Sequence, residues 1–133
     1  MTHTQKFLLL AVLGLIPIAL MYGLVPSITL PFLFDIDASP INVSHIFRAV
    51  MGLYLALAVY WLMGAFGTQQ MARSALQSLI VFMWGLGLGR AISMVVDGIP
   101  NGLLVVYLLL EIGFGVVGIV LLKKDDFETK RVA

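Results

Sequence analysis

Residues 76–122 read LQSLIVFMWGLGLGRAISMVVDGIPNGLLVVYLLLEIGFGVVGIVLL, two apolar runs on either side of a short turn at 97–102. Each run has about 20 mostly apolar residues, which is the length that a helix needs to cross a bilayer. Glycine, proline and asparagine in the turn interrupt the helices. Since so short a connection makes consecutive helices antiparallel neighbours, the stretch predicts a transmembrane helical hairpin.

Two further apolar runs precede this hairpin. The sequence therefore predicts helices at about 7–25, 46–66, 76–96 and 103–122, within a single transmembrane domain over residues 1–133 with short cytoplasmic tails. The first run exceeds the roughly 7–15 residues of a signal-peptide core, and no A-x-A-like site follows it. The expected fold class is all-α, an integral membrane four-helix antiparallel bundle.

Composition agrees with this class of protein. The chain is 61% hydrophobic and 11% charged, whereas a soluble domain is about half apolar and about a quarter charged. A net charge of +1 without a basic patch argues against nucleic-acid binding. The chain has no cysteine and only two histidines, His3 and His45, so we expect no metal and no cofactor. The expected partner is the lipid bilayer, and a homo-oligomer or a larger membrane complex stays open.

Basic residues indicate the orientation of the bundle. Lys6 precedes the first helix, Arg73 lies in the second predicted loop, and a basic cluster follows the fourth helix at 123, 124, 130 and 131. All of these positions fall on one side, which predicts cytoplasmic termini. Asp35, Asp37 and Asp97 then face outward.

The connections and helix faces carry further predictions. Ser44 is placed to cap the second helix and Asn101 the fourth. The apolar segment 28–34 of the first loop is expected to lie on the membrane or to fold back over the bundle. Small residues let membrane helices approach closely. Such faces occur on the second, third and fourth predicted helices, at Ala49, Gly52, Ala56, Gly85, Gly89, Gly115 and Gly118.

Three ionisable residues, Arg48, Arg90 and Glu111, fall inside predicted spans. Each costs about 2.5–3.5 kcal/mol at a helix centre unless it has a partner or a polar cavity. Arg90 and Glu111 lie about 10 and 15 Å below the same end of two antiparallel neighbours, because a helix rises 1.5 Å per residue. The sequence therefore predicts an Arg90–Glu111 ion pair.

Other polar residues share these faces and extend the predicted cluster. Helical spacing places Ser93 and Asp97 on the stripe of Arg90, and Tyr107 on that of Glu111. Arg48 and Tyr54 lie in the same half of the second helix. The candidate site for ligand binding, or alternatively a buried polar network that only fixes helix register, comprises Arg48, Tyr54, Arg90, Ser93, Asp97, Tyr107 and Glu111. No residue is assigned a catalytic role.

The order of these residues resembles a family of small bacterial four-helix membrane proteins known only as a domain of unknown function, within the wider DoxX/DoxD-like group. The resemblance covers nearly the whole chain. It is carried by Tyr22-Gly23-Leu24-x-Pro26, Arg48-Ala49-Val50-x-Gly52-Leu53-Tyr54, Trp61, Gly64-Ala65, Gly89-Arg90-x-x-Ser93, Asp97-Gly98-x-Pro100 and Glu111. It implies a four-helix bundle in a bacterial inner membrane but supplies no substrate and no catalytic residue.

Three functional hypotheses follow from the sequence. The first is a protein that binds or helps to move a small polar or amphipathic ligand entering from the outer side, with Arg90 and Arg48 engaging anionic groups and Glu111 orienting Arg90. The second is an accessory or assembly subunit of a larger membrane complex. The third, a small intramembrane enzyme using Glu111 or Asp97 as acid or base, is disfavoured because the chain has no recognisable nucleophile–base pair.

Overall fold

The structure, a computed structural model, describes residues 1–132. Over that range the regular secondary structure is entirely helical, with short loops between the helices. The helices are α1 (His3–Gly23), α2 (Pro26–Phe34), α3 (Ile41–Phe66), α4 (Gln69–Val96) and α5 (Gly102–Val132). All but α2 are long and apolar enough to cross a membrane. The predicted all-α fold with four spanning helices is confirmed, and the chain is a multi-pass membrane protein.

Both ends of the bundle are held together by polar contacts between distant segments. Thr4 Oγ1 donates to Asp125 Oδ2 at 2.8 Å, and Arg73 pairs with Asp126, so the first turns of α1 and α4 meet the last turns of α5. We call this the terminal end. At the opposite, turn end, Asn101 Nδ2 donates to Asp35 Oδ2 at 3.3 Å. The antiparallel arrangement follows from these contacts.

Four helix boundaries differ from the prediction by four residues or more. One of them is the start of α1 at His3, which places Lys6 inside the helix and not before it. Because α3 begins at Ile41, Ser44 lies inside the helix and does not cap it. Since α4 begins at Gln69, with Thr68 accepting from the Met71 N–H, Arg73 is helical and not in a loop. The last helix does not end at Lys123 and continues in the polar region. Hydropathy marks the part of a helix that lipid surrounds, whereas caps and ion pairs extend helices beyond it. The Asn101 cap is confirmed, at 2.9 Å from the Leu103 N–H.

The first loop contains α2, which folds back onto the bundle. Pro26, Leu30 and Phe34 recur every four residues and are buried, so one face of this short helix contacts the other helices. Asp35 ends the helix in the left-handed conformation, with φ of 56°. The apolar segment 28–34 is therefore folded back over the bundle, which is one of its two predicted placements.

The closest packing is between α1 and α3, α4 and α5, and α3 and α4. Gly115 and Gly118 are buried against the Trp84 and Ile80 side chains of α4, so the predicted small-residue face of the last helix is confirmed. The corresponding prediction for α3 and α4 is wrong. The small residues predicted to pack there all lie on the outer surface of the chain: Ala49, Gly52, Ala56, Gly85 and Gly89. A pattern of small residues identifies a helix face but not the neighbour that covers it.

Candidate functional site

The centre of the candidate site is the predicted ion pair between α4 and α5. Arg90 Nε lies 3.0 Å from both Glu111 carboxylate oxygens. The side chains are only 22% and 9% exposed, respectively. Charged hydrogen bonds of this kind compensate the cost of holding each charge away from water. The pairing is therefore present as the depth argument predicts.

Two tyrosines from other segments complete the surroundings of the guanidinium. Arg90 Nη2 donates to the Tyr22 hydroxyl at 3.3 Å, which ties α1 to the hairpin. The Arg90 Cζ atom lies 5.8 Å from the centroid of the Tyr107 ring, within the range of a cation–π interaction. Tyr107 was expected in the site, whereas Tyr22 was missed. The one available signal was its position in the Tyr22-Gly23-Leu24 motif at the end of the first helix.

An aromatic cluster surrounds these groups. The buried Tyr54 ring meets Tyr22 edge-on at 5.8 Å and Phe82 at 5.2 Å. Phe34 of α2 contacts the Tyr22 ring at 5.5 Å and the Tyr107 ring at 6.1 Å. Such edge-on and tilted pairs add about 0.5–1.5 kcal/mol each beyond area burial. The cluster therefore packs around the polar groups and helps to hold them in place.

Three predicted site residues lie away from the pair. Arg48 is exposed and its Nε donates to the carbonyl of Gly23, the last residue of α1, at 3.3 Å. Six residues separate it from Tyr54, a rotation of about 240° around the helix, so the two cannot share a face. Ser93 donates to Asp97 Oδ2 at 2.6 Å, and both are exposed near the end of α4.

A cavity of about 60 Å³ lies directly beside the ion pair. Its walls are the apolar side chains of α1, α4 and α5, such as Leu15, Met83 and Leu110, and its polar groups come from Arg90, Glu111 and two tyrosines, Tyr54 and Tyr107. One water needs about 10–15 Å³ of such space, so the cavity has room for a short alkyl chain or a single ring.

Arg90 also borders a second cavity of about 90 Å³ nearer the turn end. Ser93, Gly98 and Pro100 line this second space, and Arg90 is the one residue that both cavities share. The guanidinium therefore separates an apolar chamber within the bundle from a more polar recess at the α4–α5 turn. Within residues 1–132, no group of three or more histidine, aspartate or glutamate side chains could hold a metal ion.

A bundle of four membrane-crossing helices with a paired charge buried between two of them defines a small multi-pass membrane protein with an internal polar site. The model of the family described as Domain of unknown function (DUF4345) matches residues 3–122. The chain belongs to this family, whose pattern the sequence motifs resemble. No curated protein and no solved structure matches the chain.

Proposed function

We propose that the chain binds a small amphipathic molecule from the membrane in the cavity beside Arg90. One observation carries this proposal: a cavity with mainly apolar walls is lined by the charged pair of Arg90 and Glu111. Ligand sites are generally concave and apolar, with few polar groups that fix orientation. An alkyl chain or ring would lie along the apolar walls while its polar head meets the guanidinium.

The charge balance of the pair favours a neutral head over an anionic one. Both Glu111 oxygens lie 3.0 Å from Arg90 Nε, so an anion that approached the guanidinium would also face a carboxylate. A guanidinium has five N–H donors. In the described part of the chain, no side chain or carbonyl accepts a hydrogen bond from Nη1. The proposed ligand therefore carries a neutral hydroxyl or carbonyl oxygen as a hydrogen-bond acceptor.

The proposal is testable with three matched photoreactive probes in lipid vesicles: an octanol, an octane and an octanoate, each bearing a diazirine on the alkyl chain. Mass spectrometry would locate the label on cavity residues such as Leu15 and Met83. A net hydrogen bond is worth about 0.5–1.5 kcal/mol, so the octanol should label these residues about two to ten times more efficiently than the octane. Octanoate should label least.

The control is the double variant Arg90→Met/Glu111→Met, which removes both charges while roughly keeping side-chain volume. In this variant the octanol should lose its advantage over the octane. Equal labelling of the native chain by all three probes would contradict the proposed function. So would labelling that an excess of unlabelled octanol does not reduce.

A second candidate function is an accessory subunit of a larger membrane complex. It is favoured by the small-residue surfaces of α3 and α4, such as the exposed Gly52, Gly85 and Gly89, which nothing within the described chain covers. Surfaces of this kind suit contact with another membrane helix. Native mass spectrometry of gently solubilised membranes separates the two candidates: a stable hetero-complex supports the subunit role, and a homo-oligomer or a monomer argues against it.

We place the protein in a bacterial inner membrane with both termini in the cytoplasm, and we retain its proposed membership of the DoxX/DoxD-like group. Support for the orientation comes from the terminal end, where Lys6 at the start of α1 and Arg73 at the start of α4 join the lysines that follow Leu122. The turn end carries Asp35 and the neighbouring acidic residues. Positive charge near helix ends favours the cytoplasmic side.

A further inference from the structure

The helices α1 and α5 are adjacent but pack far less closely than α1 with α3 or α5 with α4. Two of their side-chain contacts lie along the membrane-crossing part. The Phe7 and Phe114 rings stack with centroids 5.3 Å apart, and the Tyr107 hydroxyl lies 4.0 Å from Met21 Sδ. Seven residues separate Phe7 from Gly14 and Gly14 from Met21, so Gly14 lies midway between the two contacts, about 10 Å from each.

The middle of this seam is open. A Cβ atom added to Gly14 would have no neighbour within 4 Å, and Leu110 on the facing helix is 48% exposed. Both residues also line the cavity beside Arg90. On the inner wall of the same cavity, Leu15 is only 5% exposed and Met83 only 7%. The seam between Gly14 and Leu110 therefore connects the lipid-facing surface with the interior of the bundle.

The path from the turn end is different. The recess at the α4–α5 turn and the apolar cavity share Arg90, whose side chain is held by Glu111 and Tyr22. A ligand that came from the aqueous side would have to displace this network. A ligand dissolved in the bilayer meets only apolar side chains and a glycine before it reaches the guanidinium.

We infer that the gap between α1 and α5 at Gly14 is a lateral portal through which a bilayer-dissolved amphiphile enters, an inference that rests on the proposed function. The sequence alone predicts entry from the outer side, and the portal is a different route. The absence of a side chain at position 14 keeps the portal open, while the two contacts on either side of it hold the helices apart at a fixed spacing.

A phosphatidylcholine with a diazirine in the middle of one acyl chain tests the portal, because this probe stays in the bilayer. In vesicles made with this lipid, Leu15 and Met83 of the native chain should be labelled, together with exposed lipid-facing residues such as Leu53 and Val59. Gly14→Trp should reduce labelling of Leu15 and Met83 at least about tenfold by filling the portal, and leave Leu53 and Val59 unchanged.

The matched control is Gly52→Trp. Gly52 is an exposed glycine of α3 whose added Cβ would also meet no atom within 4 Å. This variant should label like the native chain. The smaller substitution Gly14→Leu also fills the portal and is used if the tryptophan variant does not purify as a single species. Unchanged labelling of Leu53 and Val59 in the leucine variant verifies that it is folded.

The outcomes separate the portal from the proposed function. If the photoreactive octanol labels Leu15 and Met83 but the phosphatidylcholine does not, or if Gly14→Trp leaves their labelling by the lipid unchanged, the portal is wrong and the binding site stands. If neither probe labels Leu15 and Met83, the proposed binding site is wrong, and the portal is then wrong as well.

Discussion

At the scale of single residues, Arg90 shows how a cation is accommodated away from water. It lies six residues before the end of α4, about 9 Å along the helix axis. Glu111 balances the charge, Tyr22 accepts a hydrogen bond and the Tyr107 ring faces the guanidinium. Together with Arg90 itself, these groups come from three helices, so one buried charge links the hairpin of α4 and α5 to α1.

Single and double substitutions of the pair should differ sharply in stability. Arg90→Met or Glu111→Met alone leaves a buried charge without its partner, and each should lower the free energy of unfolding by about 3–5 kcal/mol. The double variant removes both charges and should regain most of that loss, because apolar residues of similar volume often replace a buried pair at little cost. Thermal unfolding in detergent, followed by tryptophan fluorescence, measures the difference.

The exposed Arg73–Asp126 pair provides the control for this cycle. Its side chains are 38% and 43% exposed, so water screens the pair and Arg73→Met should destabilise the chain far less than Arg90→Met. A double Arg90→Met/Glu111→Met variant that is as unstable as the worse single variant would show that the pair is not energetically coupled in the way we describe.

The sequence could predict the charged residues of the site but not its aromatic ones. Arg90 and Glu111 stand out because charge is costly in a membrane, and helix geometry then sets their depth. Tyr22 carries no such cost at a helix end, and nothing in its spacing shows that it meets Arg90. The sequence assigns Arg48 the same insertion cost as Arg90 and predicts it in the same cluster. The structure shows it exposed, with its Nε donating to the Gly23 carbonyl.

At the scale of helices, the contact between α4 and α5 depends on a glycine. Trp84 lies against Gly115, and a Cβ atom there would be 2.8 Å from Trp84 Nε1 and 3.1 Å from Cδ1 and Cε2. The indole N–H itself is buried, and no acceptor in the described part of the chain bonds to it. The interface therefore has little room in which the ring could move.

Gly115→Ala should lower the free energy of unfolding by about 1–3 kcal/mol, because the added methyl group forces Trp84 or the helix backbone to shift. Gly113→Ala is the matched control on the same helix, since its Cβ would meet nothing within 4 Å. We expect the control to be neutral or slightly stabilising, given the better helix propensity of alanine. Equal melting temperatures for both variants would rule out this account of the interface.

The sequence predicts where each spanning helix lies along the chain, but it does not predict which faces of these helices pack together. Runs of apolar residues mark the four spans because lipid demands about 20 of them. The same hydropathy runs along all sides of these helices, so it does not distinguish a lipid-facing side from a packed one. For this reason the sequence predicts Gly85 and Gly89 at a helix contact, but both lie exposed. Gly64, which packs closely against Ala75, belongs to the family pattern but carries no packing prediction.

At the scale of the whole molecule, charge is distributed unequally between the two ends. The terminal end holds the lysines and arginines in the first turns of α1 and α4 and those that follow the apolar part of α5. Among the lysines and arginines that the structure describes, Arg48 and Arg90 lie near the turn end, and Arg48 contacts a carbonyl. This asymmetry and the lateral portal are compatible, because a ligand from the bilayer needs neither aqueous surface.

The orientation of the molecule is testable because the chain has no cysteine, so single cysteines can be introduced without removing any. Ser39 at the turn end and Gln70 at the terminal end are both exposed. In intact bacterial cells, a membrane-impermeant maleimide should label Ser39→Cys, whereas Gln70→Cys should be labelled only after the membrane is permeabilised. The reason is that lysine and arginine near helix ends are retained on the cytoplasmic side. Labelling of Gln70→Cys in intact cells would show the opposite orientation, with the acidic turn end facing the cytoplasm.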